Sequence, residues 1–184
     1  MTEPRSRRVF FGTWPDKAAT CRLSALAQEL AAAGGGRPTR STALHLTLAF
    51  VGAVAPGRVA ELEETAAGVR GEAFELSLDR LGFWPQRGIL WAGCRRPPAP
   101  LIRLRERLVA GVRDAGFAID HGSAAGHVPH LTLARRVRCA SLPRLETPIR
   151  WRVGEFALVE SHLNSSAASY ATLASFALDR ADAE

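Results

Sequence analysis

The sequence predicts an α+β fold of two pseudo-symmetric lobes, each a small antiparallel sheet with helices outside and a central cleft between them. Three observations carry this. The tetrapeptide His45-Leu46-Thr47-Leu48 recurs as His130-Leu131-Thr132-Leu133. Segments with helical spacing alternate with period-two segments and then close in hairpins. The two tetrapeptides stand 85 residues apart in a chain of 184. The simplest organisation is one domain, residues 1–184, made of two lobes whose motif strands line the cleft.

The elements follow in order. Residues 8–14 read as a first strand around Val9, Phe10 and Phe11. Pro15 suits the first turn of a helix, and Asp16 adds a favourable negative charge there. That helix runs to about residue 33, with Leu23, Leu26, Ala27 and Leu30 as its apolar stripe. Gly34-Gly35-Gly36 stops it; no Lys-Ser/Thr follows, so it is not a phosphate-binding loop. The first motif strand extends through Val51, and residues 52–57 form a turn. A second helix covers roughly 56–69. Residues 74–83 alternate as one strand, with Phe74, Leu76 and Leu78 on one face. A loop at 84–88 leads to a returning strand at 89–93. Pro97-Pro98 breaks the chain before a third helix over 99–115, stopped by Gly116. A Gly/Ser/Ala-rich loop at 122–126 leads into the second motif strand. The segments 151–161 and 170–178 read as a last hairpin around Asn164-Ser165-Ser166.

Composition narrows the class. Hydrophobic residues make up 47% and charged residues 23%, an ordinary globular balance. The net charge is +6, and Lys17 is the single lysine, so the basic surface is arginine. Forked guanidinium groups suit an anionic partner. A GC-rich genome accounts for the Arg:Lys ratio but not for the positive balance. Cys21, Cys94 and Cys139 are odd in number, far apart and without metal-site spacing, which fits a reducing cytosol. The start of the chain is polar and basic with no apolar stretch behind it, so it does not read as a secretion signal. No apolar run approaches the roughly 20 residues needed to span a bilayer. No heptad or exposed apolar stripe points to an obligate partner, so a monomer is expected.

The motifs carry the chemistry. Alternation puts Leu46 and Leu48 toward the core and His45 and Thr47 on the opposite face. The second copy puts His130 and Thr132 outward in the same way. One His-x-Thr-x on a strand carries little, because Thr favours strands and His often sits half exposed. Two identical copies that keep the polar residues as well as the leucines point to a shared site. Imidazole titrates near ~6.5, so one ring can accept a proton while the other donates one. Cleavage of a phosphodiester needs both roles, and the hydroxyls of Thr47 and Thr132 are placed to hold non-bridging oxygens. No carboxylate stands near either motif; Glu61, Glu63 and Glu64 read as a solvated helix face. Zinc on His45 and His130 lacks an obvious third ligand, His127 being the one further candidate, and the motifs lack the usual zinc spacing. No metal or other cofactor is expected.

With these residues in view, the chain resembles the two-histidine (2H) phosphoesterase superfamily. More narrowly it resembles the RNA 2′,3′-cyclic phosphodiesterases, also called 2′–5′ RNA ligase-like proteins. The likeness rests on Arg8-Val9-Phe10-Phe11, on residues 44–52 and 129–135 around the two motifs, on Leu90-Trp91-Ala92-Gly93 and on Leu158-Val159-Glu160-Ser161. It implies a bilobal fold and hydrolysis of a terminal 2′,3′-cyclic phosphate of RNA to a 2′-phosphomonoester, without metal or nucleotide cofactor. It implies that His45 is the proton donor and His130 the proton acceptor, with Thr47 and Thr132 on the phosphate. Joining a cyclic end to a 5′-hydroxyl is implied as a weak reverse activity. It also implies Arg135 near the phosphate, whereas strand parity puts Arg136 on the face of His130 and Thr132; both stay as candidates. Gly12 departs from the alanine common in the family after the paired phenylalanines.

Phe11 and Trp84 are candidates for stacking on a base, against core packing and loop packing respectively. His127 reads as solvated, as do His121 and His162. Two other readings remain open. One is a phosphodiesterase acting on a small cyclic nucleotide or an ADP-ribose cyclic phosphate. The other is an RNA-binding module without turnover, against which the two intact histidines argue.

Overall fold

The computed structural model describes residues 6–119, 128–138, 142–163 and 168–180. Strand β1 (Arg7–Thr13) opens it and helix α1 (Lys17–Ala33) follows. Pro15 lies outside the helix, and Asp16 is its N-cap. The Asp16 carboxylate accepts a 2.8 Å hydrogen bond from the Ala19 N–H, which satisfies a backbone donor and contributes about 1 kcal/mol. The buried stripe is Ala19, Leu23, Ala27, Leu30 and Ala31, with Leu26 at its margin. The glycine run ends the helix as expected. Gly36 N–H reaches back to the Ala31 carbonyl at 2.8 Å while Gly35 sits at φ 65, a left-handed stop that glycine adopts without a Cβ clash.

Strand β2 (Arg37–Pro38) is too short to announce itself in the sequence. A 3-10 turn at Ser41–Ala43 leads to β3 (Leu46–Val54), and a second at Pro56–Arg58 leads to α2 (Val59–Ala67). Strand β3 outruns its expected end. Gly52, expected in a turn, sits inside the strand at φ 89 opposite Val9.

Two segments expected as single strands are each divided. Residues 74–83 break at Asp79 into β4 (Phe74–Leu78) and β5 (Arg80–Trp84). The Asp79 N–H donates to the Gly93 carbonyl at 3.1 Å, and its carboxylate accepts from the Arg95 N–H at 2.8 Å, which turns the chain. The expected hairpin of this segment survives in its second half, where β5 pairs β6 (Ile89–Gly93). Helix α3 (Ala99–Asp114) and β7 (His130–Arg135) come next. The expected strand at 151–161 breaks at Gly154 into β8 (Ile149–Val153) and β9 (Glu155–Leu163). The last strand is β10 (Ala168–Ala177), which pairs β9. The apolar phase slips at both breaks, from Phe74, Leu76 and Leu78 to Leu81 and Phe83, and from Ile149, Trp151 and Val153 to Phe156 and Leu158; the slip marks a break but not which sheet the second half joins.

The α+β class with antiparallel sheets holds, and the partition of the strands is specific. Strands β4 and β8 form a two-stranded sheet. The others form one eight-stranded sheet in the order β10-β9-β1-β3-β7-β6-β5, with β2 also on β7. The motif strands β3 and β7 are neighbours, yet they share one Cα pair, Leu46 with Leu131. The sheet is therefore two halves joined at a narrow seam, one ending in β3 and the other beginning at β7. The helices cross over. Helix α1 precedes the first motif but packs on β7 and β2 of the other half, whereas α3 precedes the second motif and packs on β3. One apolar core spans both halves, with Leu46, Leu48, Leu131 and Leu133 all inside it. Among the described residues no helix is long and apolar enough to cross a membrane.

Candidate active site

The seam places the two motifs face to face. Antiparallel pairing centred on Leu46 and Leu131 runs His45 alongside Thr132 and Thr47 alongside His130. Each histidine position thus falls opposite the other motif's threonine. His45 lies directly before β3. His45 Nδ1–H donates to the Ala43 carbonyl at 2.8 Å, and His130 Nδ1–H donates to the Val128 carbonyl at 2.8 Å. A carbonyl can only accept, so both bonds fix the proton on Nδ1 and leave Nε2 as the reactive nitrogen of the neutral ring. Both bonds reach two residues back along the chain, which the sequence repeat alone does not reveal.

A cavity of about 510 Å³ holds the pair. It is lined by His45, Thr47, His130 and Thr132, and further by Arg8, Phe10, Phe50, Arg135, Ser161 and Tyr170. No carboxylate is among these lining residues. Among the described residues no group of three or more His, Cys, Asp or Glu side chains is placed to hold a metal ion.

The aromatic surroundings of the two imidazoles differ. His45 lies 4.9 Å from Phe10, 4.9 Å from Tyr170 and 5.4 Å from Trp14, the last nearly parallel to it. His130 has Trp84 edge-on at 4.6 Å and Trp91 at 6.2 Å. Burial among these rings disfavours the imidazolium and pushes His45 down to about 4. The Ala43 carbonyl opposes that shift; the positive charges of His130 and Arg135 add to it. His130 is lowered for the same first reason, opposed by the Val128 carbonyl and reinforced by Arg135.

The arginine question is decided by a bulge. Trp91 of β6 pairs Thr132, yet Leu90 pairs Ala134, so two residues of β7 answer one of β6. Leu133 and Ala134 are both fully buried as a result, and the alternation slips by one. Arg135 therefore lines the cavity. Arg136, favoured by simple parity, is exposed in a left-handed turn at φ 58 and lies outside the lining. The first motif carries the same device. Phe11 pairs Ala49 and Gly12 pairs Thr47, with Leu48 and Ala49 both buried. The repeat is thus one residue longer than the tetrapeptide, since Ala49 matches Ala134. It breaks where Phe50 answers Arg135. Arg8 lies over the Phe50 ring at 4.4 Å, so the first half also brings a guanidinium to the cleft.

Other expected positions resolve as follows. Phe11 is fully buried with its ring 6.4 Å from Phe156, so it is a core residue and cannot stack on a base; Phe10, its neighbour on the other face, lines the cleft. Trp84 packs on His130 and Trp91 and is not part of the lining. His162 is exposed, 3.8 Å from Glu160. His121, His127, Cys139, Ser165 and Ser166 lie outside the described residues. Cys21 and Cys94 are free thiols, and burial pushes Cys94 up to about 11. Arg8, Phe10, Phe50, Ser161, Trp14 and Tyr170 are not among the site residues expected from the sequence, although Arg8, Phe10, Phe50 and Ser161 stand in segments that carry the family likeness. The sequence does carry one signal for Phe50, its position one step past the repeated Leu-Ala.

Comparison with known proteins gives the chain its relatives. Residues 15–164 match the 2′-5′ RNA ligase superfamily. The chain is 33% identical over 144 residues to the RNA 2′,3′-cyclic phosphodiesterase of Escherichia coli (strain K12), covering 78% of this chain and 80% of that protein. It is 27% identical over 131 residues to the RNA 2′,3′-cyclic phosphodiesterase of Archaeoglobus fulgidus, covering 70% and 72%. The fold superimposes on the crystal structure of E. coli LigT complexed with 3′-AMP with a TM-score of 0.84 and 29% identity, over 94% of this chain and 98% of the other.

Proposed function

The chain belongs to the 2′-5′ RNA ligase superfamily, and from that premise we propose that it acts as an RNA 2′,3′-cyclic phosphodiesterase whose two cleft imidazoles form the acid–base couple. The observation that carries the mechanism is the pair of Nδ1–H bonds to Ala43 and Val128, which turns two identical rings into matched Nε2 groups facing one cavity.

The terminal cyclic phosphate sits between them. Nε2 of His130 takes a proton from water as the water oxygen bonds to phosphorus. The bond from phosphorus to O3′ breaks, and Nε2 of His45 gives O3′ its proton. The products are a 3′-hydroxyl and a 2′-phosphomonoester. The hydroxyls of Thr47 and Thr132 hold the non-bridging oxygens, and Arg135 stabilises the charge that gathers on them. His45 must be protonated to act as the acid. Its low affinity for a proton belongs to the empty cleft; the anionic phosphodiester stabilises the imidazolium and raises it. The reverse step joins a cyclic end to a 5′-hydroxyl in the same cleft.

The proposal also takes the chain as one two-lobed domain, acting as a monomer in the cytoplasm. The free thiols of Cys21 and Cys94 fit a reducing compartment.

The test is a short RNA ending in a 2′,3′-cyclic phosphate, incubated with the protein in EDTA and followed by product mass and phosphate position. The expected product is one water heavier and carries a 2′-phosphate. His45→Ala and His130→Ala each lower the rate by about 10²–10⁴-fold, and Thr47→Val or Thr132→Val by about 10²-fold. A 3′-phosphate product, or full activity in either alanine variant, would overturn the mechanism.

A further inference from the structure

The sheet edge beside the cleft carries charges that the chemistry at the histidines leaves unused. The register of β2 sets Arg37 directly across from Arg135. Opposed residues of an antiparallel pair project from the same face, with Cβ atoms roughly 4.5–5.5 Å apart. Arg135 lines the cleft, so Arg37 stands at its rim. Like charges opposed in this way repel. Both residues are exposed, and neither forms an ion pair among the described residues.

This juxtaposition is built by the backbone. A Cβ at Gly36 would lie 2.9 Å from the Arg135 carbonyl and 2.5 Å from the Val137 side chain, so only glycine lets β2 approach β7. The Val137 N–H donates to Gly88 at 3.0 Å and the Arg138 N–H to Gly34 at 2.9 Å. These bonds stitch segments 34–38, 85–88 and 134–138 together. The three segments contain Arg37, Arg87, Arg135, Arg136 and Arg138 and no Asp or Glu. Arg136 is held at φ 58, a left-handed conformation that non-glycine residues rarely adopt.

We propose that Arg37, at the rim beside Arg135, holds the phosphodiester that joins the terminal nucleoside to the one before it, and that Arg87, Arg136 and Arg138 continue the track along the strand. This deepens the RNA-end reading and rests on it. It makes the protein a selector of RNA strands over cyclic mononucleotides. A phosphate at Arg37 relieves its repulsion with Arg135 and forms charge-assisted bonds with the Arg37 guanidinium.

The experiment measures kcat/KM on a 2′,3′-cyclic mononucleotide and on a dinucleotide and an octanucleotide ending in the same cyclic nucleotide. The variants are Arg37→Ala, Arg37→Lys and, as a control for bulk charge, Arg150→Ala on distant β8. The wild type is expected to prefer the dinucleotide by about tenfold or more. Arg37→Ala should erase most of that preference while mononucleotide turnover stays within about twofold. Arg37→Lys should keep part of it, and Arg150→Ala all of it. Anisotropy of a labelled octanucleotide ending in a 2′-phosphate gives a second readout, in which Arg37→Ala should flatten the log–log salt dependence of affinity by about 0.7. Equal losses on mononucleotide and oligonucleotide, an equal effect of Arg150→Ala, or no effect of Arg37→Ala would overturn the proposal. If no cyclic end is hydrolysed, the RNA-end reading fails on its own. The salt slope then decides the arginine track, a shallower slope sustaining it and an unchanged slope sinking it.

Discussion

At the residue scale the two histidines are distinguished by their surroundings, because their motifs are identical. Burial against Phe10, Trp14 and Tyr170 holds His45 at about 4, and His130 is also lowered. Catalysis needs one ring protonated and one neutral. With both rings below ~6.5 in the free protein, kcat/KM is expected to fall as pH rises above that value. The bound phosphodiester favours the imidazolium, so the kcat profile should lie at higher pH than the kcat/KM profile. An alkaline limb of kcat/KM well above 7 would contradict the depressed imidazoles. The same shifts enter stability. Unfolded, His45 titrates near ~6.5; folded, it titrates near about 4. Between these values the unfolded chain binds more protons. The stabilisation is therefore full above ~6.5 and is lost as pH falls toward 4. Denaturant unfolding at stepped pH should show that decline, and His45→Gln should flatten it.

At the element scale the site depends on irregularities in otherwise regular strands. Bulges after Thr47 and after Thr132 bury Leu-Ala in each motif and turn the next residue into the cleft. The histidines and threonines were legible because two-residue alternation holds up to the bulge. Arg135 was not, because its face depends on a slip that only pairing with β6 reveals. Phe11 stayed open between base stacking and core packing for a related reason. The dipeptide Phe10-Phe11 offers two rings, and only the sheet's position between core and cleft tells that Phe10 lines the cleft while Phe11 joins the core. Gly82 shows a further dependence on close packing. A Cβ there would overlap the Trp91 ring, which also packs on Trp84 and His130. Gly82→Ala is expected to cost about 1–3 kcal/mol and to lower activity by displacing the rings behind His130. Thermal unfolding and turnover measured together would check it; native stability with native activity would show that Trp91 can move freely.

At the scale of the whole molecule, the histidine pair sits at an interface between two half-sheets. Leu46 and Leu131 form the one β3–β7 pair, and both are almost wholly buried. Leu131→Ala is expected to cost about 2–5 kcal/mol, as for other fully buried leucines. It should also lower kcat in the fraction that remains folded, because the seam aligns the imidazoles. A variant that loses stability but keeps kcat would separate packing from alignment. The crossed helices bind the halves further, since α1 supports β7 and α3 supports β3. Neither lobe is completed by its own stretch of sequence.

What the sequence determined by itself was local: the strands and helices, the apolar stripes, and the paired His-x-Thr faces. Each follows from a period of two or 3.6 residues and from the chemistry of the side chains in it. What only the tertiary structure decided was relational. The split of residues 74–83 between two sheets, the crossing of α1 and α3, and the opposition of His45 to Thr132 and of Arg37 to Arg135 depend on contacts between distant segments. Periodicity reports which face of an element is apolar and is silent on which neighbour covers it.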